Sequence, residues 1–161
     1  MLIYLLRHAD AVFHAASDSQ RELTTKGVAQ AGMVGQFCRK QELAPSRIFT
    51  SPFLRAKQTA LLVAKELETS PMPPEVMLAP FLASGMEPKT ALEELRTQSN
   101  PPSMMLVGHE PDLGQLVSHL VGCSASFINI RKASLTLIEM PSLNAGAGIL
   151  HFSIPVKFMF P

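Results

Sequence analysis

Cysteine, net charge and long apolar runs are all scarce in this sequence, and each shortage removes a class of protein. Two cysteines in 161 residues, Cys38 and Cys123, are too few for a disulfide framework and lack the paired spacing of a metal site. Both stand among apolar residues in helix-like stretches, so both are expected to be buried thiols. The formal net charge is +1, whereas a nucleic-acid binder or membrane-surface protein normally carries a basic excess. Any anion this chain holds must therefore be held by a few placed cations. The apolar run at residues 2–6 stops at Arg7-His8, short of the roughly 7–15 residues of a secretory core, and no stretch of membrane length follows. A cytoplasmic location is expected. Acidic clusters of the magnesium-binding type are missing, and five histidines without i, i+4 pairs or cysteine partners make no familiar metal site. Neither a metal nor a cofactor is expected.

What is present is material for a core. Hydrophobic residues make up 47% and charged residues 17%, which rules against disorder, and the length suits a single domain over residues 1–161. Leu2-Ile3-Tyr4-Leu5-Leu6 reads as a strand buried on both faces. A polar loop spans residues 10–22, and Thr24 or Thr25 caps a helix to about Gln41, with Ala31, Val34 and Phe37/Cys38 inward. Arg47-Ile48-Phe49-Thr50 is a second strand closed by Ser51-Pro52. The next helix, residues 53–68, buries Phe53, Ala56, Ala60, Val63 and Leu67 at three- and four-residue steps. Four prolines between positions 71 and 80 confine the following strand, near residues 76–78, to a sheet edge. A short helix at residues 88–98, a buried strand at 103–107 and a helix with Leu113, Leu116, Val117 and Leu120 on one face come next. Residues 133–140 and 148–154 read as two last strands around Asn144-Ala145-Gly146.

Strands alternating with helices predict an α/β domain, a three-layer α/β/α sandwich with a largely parallel, mixed central sheet. Ligands of such sheets sit beyond the carboxyl ends of the strands. That rule selects Arg7-His8, Ser51 and Gly108-His109 as neighbours on one rim, with Arg55 in the first turn of the helix that follows Ser51-Pro52. Two arginines and two histidines there make a compact cationic pocket whose forked donors suit phosphate oxygens. A helix N-terminus adds its own attraction for an anion. One histidine can attack phosphorus while the other groups hold the equatorial oxygens.

Four segments in order, Arg7-His8-Ala9, Leu23-Thr24 with Gly27 and Gln30-Ala31, Ser51-Pro52-Phe53-Leu54-Arg55-Ala56-Lys57-Gln58-Thr59-Ala60 and Val107-Gly108-His109-Glu110, resemble the histidine phosphatase superfamily, which includes the cofactor-dependent phosphoglycerate mutases. The length and the Arg-His-Ala-Asp-Ala opening are most similar to the SixA-type phosphohistidine phosphatases. The resemblance runs from about Leu2 to Leu120. It implies a phosphoglycerate mutase-like fold, with His8 as the nucleophile that becomes phosphohistidine. Arg7 and Arg55 match the phosphate-binding arginines, and His109 matches the second histidine of the pocket. Ala9 departs from the glycine often found there; a methyl group is tolerated if φ is negative. Outside this company each side chain has an ordinary reading, as a well-bonded histidine or a surface ion-pair partner. His14, His119 and His151 lack motif support and take ordinary roles.

The location of a general acid separates the possible substrates. Mutase-like relatives place a glutamate after the strand that follows the Ser51-type motif, but residues 78–85 contain no carboxylate. Asp10, Asp18, Glu22 and Glu110 remain as candidates, each also readable as a cap, a loop bond or a solvated charge. A missing acid matters less for a P–N bond, because imidazole is a far better leaving group than an alkoxide. The chain also lacks the long insertions with which mutases enclose small substrates. The expectation is hydrolysis of phosphohistidine on a protein, such as a histidine phosphotransfer domain, with no nucleic acid or membrane partner. Two alternatives stay open: a phosphatase of small phosphoesters with the same chemistry, and a phosphate- or phosphohistidine-binding module without turnover. Oligomeric state is not legible, and the apolar segment 153–161 packs on the domain or mediates a self-contact.

Overall fold

A computed structural model describes residues 1–98, 101–124 and 128–160. Strand β1 (Leu2–Arg7) is apolar up to its last residue because both its faces are covered: Ile3 and Leu5 enter one core, Tyr4 and Leu6 the other. After a polar loop holding a short 3-10 turn, Asp18–Gln20, helix α1 (Thr25–Lys40) begins at Thr24, whose hydroxyl accepts the Gly27 N–H at 3.0 Å. Strand β2 (Arg47–Thr50), helix α2 (Leu54–Glu66) and strand β3 (Glu75–Leu78) follow. Then come helix α3 (Pro88–Thr97), strand β4 (Ser103–Gly108), helix α4 (Asp112–Val121), and strands β5 (Leu135–Glu139) and β6 (Ile149–Ile154).

The six strands form one sheet in the order β3-β2-β4-β1-β5-β6. The first four in sequence run parallel, and β5 and β6 add antiparallel neighbours, so the mixed three-layer sandwich is as expected. Ala31, Val34 and Cys38 of α1 and Ala56, Ala60 and Val63 of α2 fill the core on one face. Ala91, Leu92 and Leu95 of α3 and Leu113, Leu116, Val117 and Leu120 of α4 fill it on the other. The proline-flanked strand β3 is an edge, as its composition requires.

Register is what builds the rim. Arg7 pairs with Gly108 and Thr50 with Val107, so the carboxyl ends of β1, β4 and β2, adjacent in the sheet, finish level. Backbone bonds carry this alignment one residue further: the His8 N–H reaches Gly108 O at 3.0 Å and the Ser51 N–H reaches Val107 O at 2.9 Å.

One expectation changes, and one of the two alternatives for the C-terminal segment is observed. Cys38 is fully buried, but Cys123 is exposed. Helix α4 ends at Gly122 in the left-handed conformation (φ 76°), which turns the chain before Cys123 meets the core. The C-terminal segment packs on its own domain: Val156 and Met159 are buried in the α1–α2 core, and Phe160 meets Phe37 edge-on with ring centroids 6.5 Å apart. Among the described residues no helix is long and apolar enough to cross a membrane.

Candidate active site

His8 leaves the end of β1 directly into the rim and is 6% exposed. Its Nδ1 lies 2.7 Å from the carbonyl of Ala9. A carbonyl only accepts, so the proton of neutral His8 is on Nδ1 and the lone pair is on Nε2. That Nε2 accepts from Nε of Arg55 at 3.2 Å. The His8 pKa is lowered to about 3, first by burial and then by His109, Arg55 and Arg7, against an opposing rise from the Ala9 bond. Desolvation is therefore the first cause, ahead of the arginines that the sequence brings to mind.

The backbone around His8 is fixed by side chains distant in sequence. The Ala9 N–H donates to Thr59 Oγ1 at 3.1 Å, and that hydroxyl donates to the Arg55 carbonyl at 2.7 Å. The Asp10 N–H donates to Gln30 and the Leu23 N–H to Gln58. Gly27 lies so close to this segment that a Cβ there would stand 1.9 Å from the Asp10 carbonyl oxygen. Ala9 is fully buried and is not among the described residues with positive φ, so its methyl group is accommodated without strain.

Arg55, 4% exposed, spends its three donor positions on two partners. Besides His8, it donates from one terminal nitrogen to the Asp18 carbonyl at 2.6 Å and from the other to Asp18 Oδ2 at 2.9 Å. Arg21 holds the other oxygen of Asp18 at 2.9 Å. Bonding to Arg21, with Arg55 adding, keeps the Asp18 carboxyl below its ordinary pKa. Phe53 was expected in the core beneath α2. Instead it precedes the helix and stands at the site, its ring 5.0 Å from that of His109 and 5.1 Å from the Arg55 guanidinium carbon.

Arg7 donates from a terminal nitrogen to the Ile130 carbonyl at 2.8 Å, while its buried Nε has no partner among the described residues. Burial lowers its pKa, Glu110 opposes and Arg55 adds. His109, 2% exposed, has its ring 5.3 Å from that of His8. Its Nε2 lies 2.8 Å from Ser51 Oγ, and its Nδ1 is buried without a partner among the described residues. Burial lowers its pKa to about 4, with Arg55 and Arg7 adding and Asp18 opposing. All four residues selected from the sequence thus gather at one rim: Arg55 bonds His8, the rings of His8 and His109 stand 5.3 Å apart, and the charge of Arg7 bears on the other three.

The candidate acids fare differently. Asp10 binds Lys132 at 2.7 Å and the Thr24 hydroxyl at 2.9 Å, with its pKa lowered chiefly by the Lys132 bond. Asp18 is held as described. Glu110 accepts the Gly114 and Ile130 N–H groups at 3.2 and 3.1 Å. Glu22 is exposed. Of these, only Asp18 touches one of the four pocket side chains. Sequence reading missed its pairing with Arg55, the place of Phe53, and the supporting roles of Thr59, Gln58 and Gln30. The Gln58-Thr59 and Gln30 motif positions were the available signal.

Residues 3–78 match the model of the histidine phosphatase superfamily (branch 1). The phosphohistidine phosphatase SixA of Escherichia coli (strain K12) is 42% identical over 59 residues, a match covering 37% of each chain. An uncharacterised protein of Picosynechococcus sp. (strain ATCC 27264 / PCC 7002 / PR-6) is 35% identical over 139 residues, covering 84% of this chain and 82% of the other. The solved structure of the protein histidine phosphatase SixA complexed with tungstate superposes with a TM-score of 0.82 at 28% identity, covering 98% of both chains.

Proposed function

Since this chain belongs to the histidine phosphatase superfamily, we propose that residues 1–161 act as one phosphatase domain that hydrolyses the P–N bond of phosphohistidine on a protein. One observation carries the reading. The Nδ1 of His8 is committed to the Ala9 carbonyl, which leaves the Nε2 lone pair, facing Nε of Arg55, as the nucleophile. A pKa of about 3 keeps that lone pair free of a proton at neutral pH.

The steps balance without a metal. Phosphorus moves from the substrate imidazole to His8 Nε2: the substrate P–N bond breaks as the new P–N bond forms, and the leaving imidazole takes a proton from water. Water then attacks phosphorus, His8 leaves, and inorganic phosphate is released. Arg55 exchanges its bonds to Asp18 and His8 for phosphoryl oxygens, and Arg7 supplies the second fork. The first step transfers phosphorus between like nitrogens, so a strong acid on the leaving group is unnecessary. That fits the committed state of Asp10, Asp18 and Glu110. The superposed SixA structure holds tungstate, a tetrahedral oxyanion of phosphate's shape, which supports phosphoryl binding by this fold. A cytoplasmic phosphotransfer protein, such as a histidine phosphotransfer domain, is the partner this chemistry fits.

The test is brief mixing with phosphoramidate or a phosphohistidine-bearing protein, followed by mass spectrometry. Phosphate is expected on His8 and absent from the His8→Ala variant, with faster turnover of P–N substrates than of alkyl phosphates. An alanine variant with normal turnover removes the nucleophile. Equal or reversed preference favours a phosphatase of small phosphoesters, and binding without a phosphoenzyme favours a non-catalytic module.

A further inference from the structure

Ser51 stands at the end of β2, fully buried, one strand away from His109. Its hydroxyl oxygen accepts the Phe53 N–H at 3.2 Å and lies 2.8 Å from His109 Nε2. The other nitrogen of His109, Nδ1, is buried with no protein partner. Serine and a neutral imidazole each bring one proton to this contact, and two arrangements follow.

In the first, the Ser51 hydroxyl donates to Nε2. Both Ser51 and Nε2 are then satisfied, and His109 carries its proton on Nδ1. In the second, Nε2–H donates to Ser51. The Ser51 proton is then stranded in the core, with no other acceptor bonded to it among the described residues, and the unpartnered Nδ1 is a bare lone pair. Each stranded buried polar group carries the full cost of its lost hydration, so the first arrangement, with one open group instead of two, is preferred. The two also differ toward an anion. An N–H on Nδ1 attracts a phosphoryl oxygen, whereas a lone pair repels it.

We propose that Ser51 is a positioning residue that fixes His109 in the Nδ1–H tautomer, so that Nδ1–H is the donor His109 offers to a phosphoryl oxygen. The neutral state this needs at pH 7 agrees with the lowered pKa of His109. Because the donor exists before substrate arrives, no proton has to move as negative charge grows on the equatorial oxygens. The contribution to rate rests on the phosphatase reading above; the tautomer does not.

The experiment is long-range proton–nitrogen NMR at pH 7 on protein carrying ¹⁵N-histidine, alongside single-turnover rates. Wild type is expected to show the His109 proton on Nδ1. Ser51→Ala should move it wholly or partly to Nε2 and lower the rate of phosphoenzyme formation about 100-fold, with a smaller change in KM. Ser51→Thr, which keeps the hydroxyl, should restore both. An Nε2–H tautomer in wild type overturns the proposal even if the alanine variant fails to fold. So does an alanine variant that keeps both Nδ1–H and the rate. If wild type forms no phosphoenzyme while its His109 carries Nδ1–H, the phosphatase reading fails and the tautomer assignment stands.

Discussion

Burying two histidines without their protons makes the fold sensitive to mild acid, and the effect can be worked through. His8 and His109 titrate near 3 and 4 in the folded protein, chiefly because they are buried, against about 6.5 in an unfolded chain. Between these limits the unfolded chain binds protons that the folded one refuses, so stability falls as pH falls. From pH 7 to pH 5 each histidine costs about 2 kcal/mol, roughly 4 kcal/mol for the two. The carboxylates with lowered pKa, Asp10 and Asp18, contribute stability that is lost only as pH drops below their unfolded value of about 4, outside this window. With a urea m-value of about 2 kcal/mol/M for a chain of this size, the urea midpoint should fall by about 2 M between pH 7 and pH 5. His8→Asn/His109→Asn, which removes both titrations, should lose most of that dependence. A wild-type midpoint moving by less than about 0.3 M refutes the reasoning, as does an equal fall in the double variant.

Three further outcomes follow from contacts at the rim. Asp18 occupies the terminal nitrogens of Arg55 yet is 55% exposed; a pair of that exposure is worth up to about 1 kcal/mol, so Asp18→Asn should tighten inhibition by vanadate or inorganic phosphate about fivefold. Weaker inhibition would show that Asp18 supports the arginine rather than competing for it. Gly27→Ala drives a methyl group into the Asp10 carbonyl and should cost about 2–3 kcal/mol, read by thermal denaturation, with activity falling as the His8 segment shifts. Thr59→Val keeps the shape but strands the Ala9 N–H; a loss of about 1–3 kcal/mol is expected, and an unchanged melting temperature would contradict it.

The pocket was legible because its four side chains lie at strand ends or one turn into a helix. There, backbone periodicity alone decides which residues share a rim: Arg7 and His8 follow five apolar residues, and His109 follows another buried strand. What periodicity cannot carry is a side chain reaching across the fold. The Asp18–Arg55 contact joins a loop to a helix 37 positions away, and Gln58 supports Leu23 from 35 positions away. Neither spacing has a local signature. Phe53 was misplaced because its spacing from Ala56 and Ala60 continues the helical pattern, yet α2 starts one residue later. Cys123 was misplaced for the mirror reason, since α4 stops at Gly122. The weight of burial in the His8 pKa was hidden as well, because a sequence displays neighbouring charges more readily than the depth of a hollow.

The two backbone N–H groups that converge on Glu110 have a consequence for how the cleft keeps its shape. One belongs to Gly114 in the first turn of α4, the other to Ile130, whose own carbonyl grips Arg7. A single carboxylate therefore moors the arginine's anchorage to a helix on the opposite side of the sheet from α2 and Arg55. Only an acceptor at both oxygens can do this; an amide of identical outline would turn a hydrogen toward one of the two N–H groups. The position demands polarity rather than bulk, and its two oxygens tie α4 to the segment that holds Arg7.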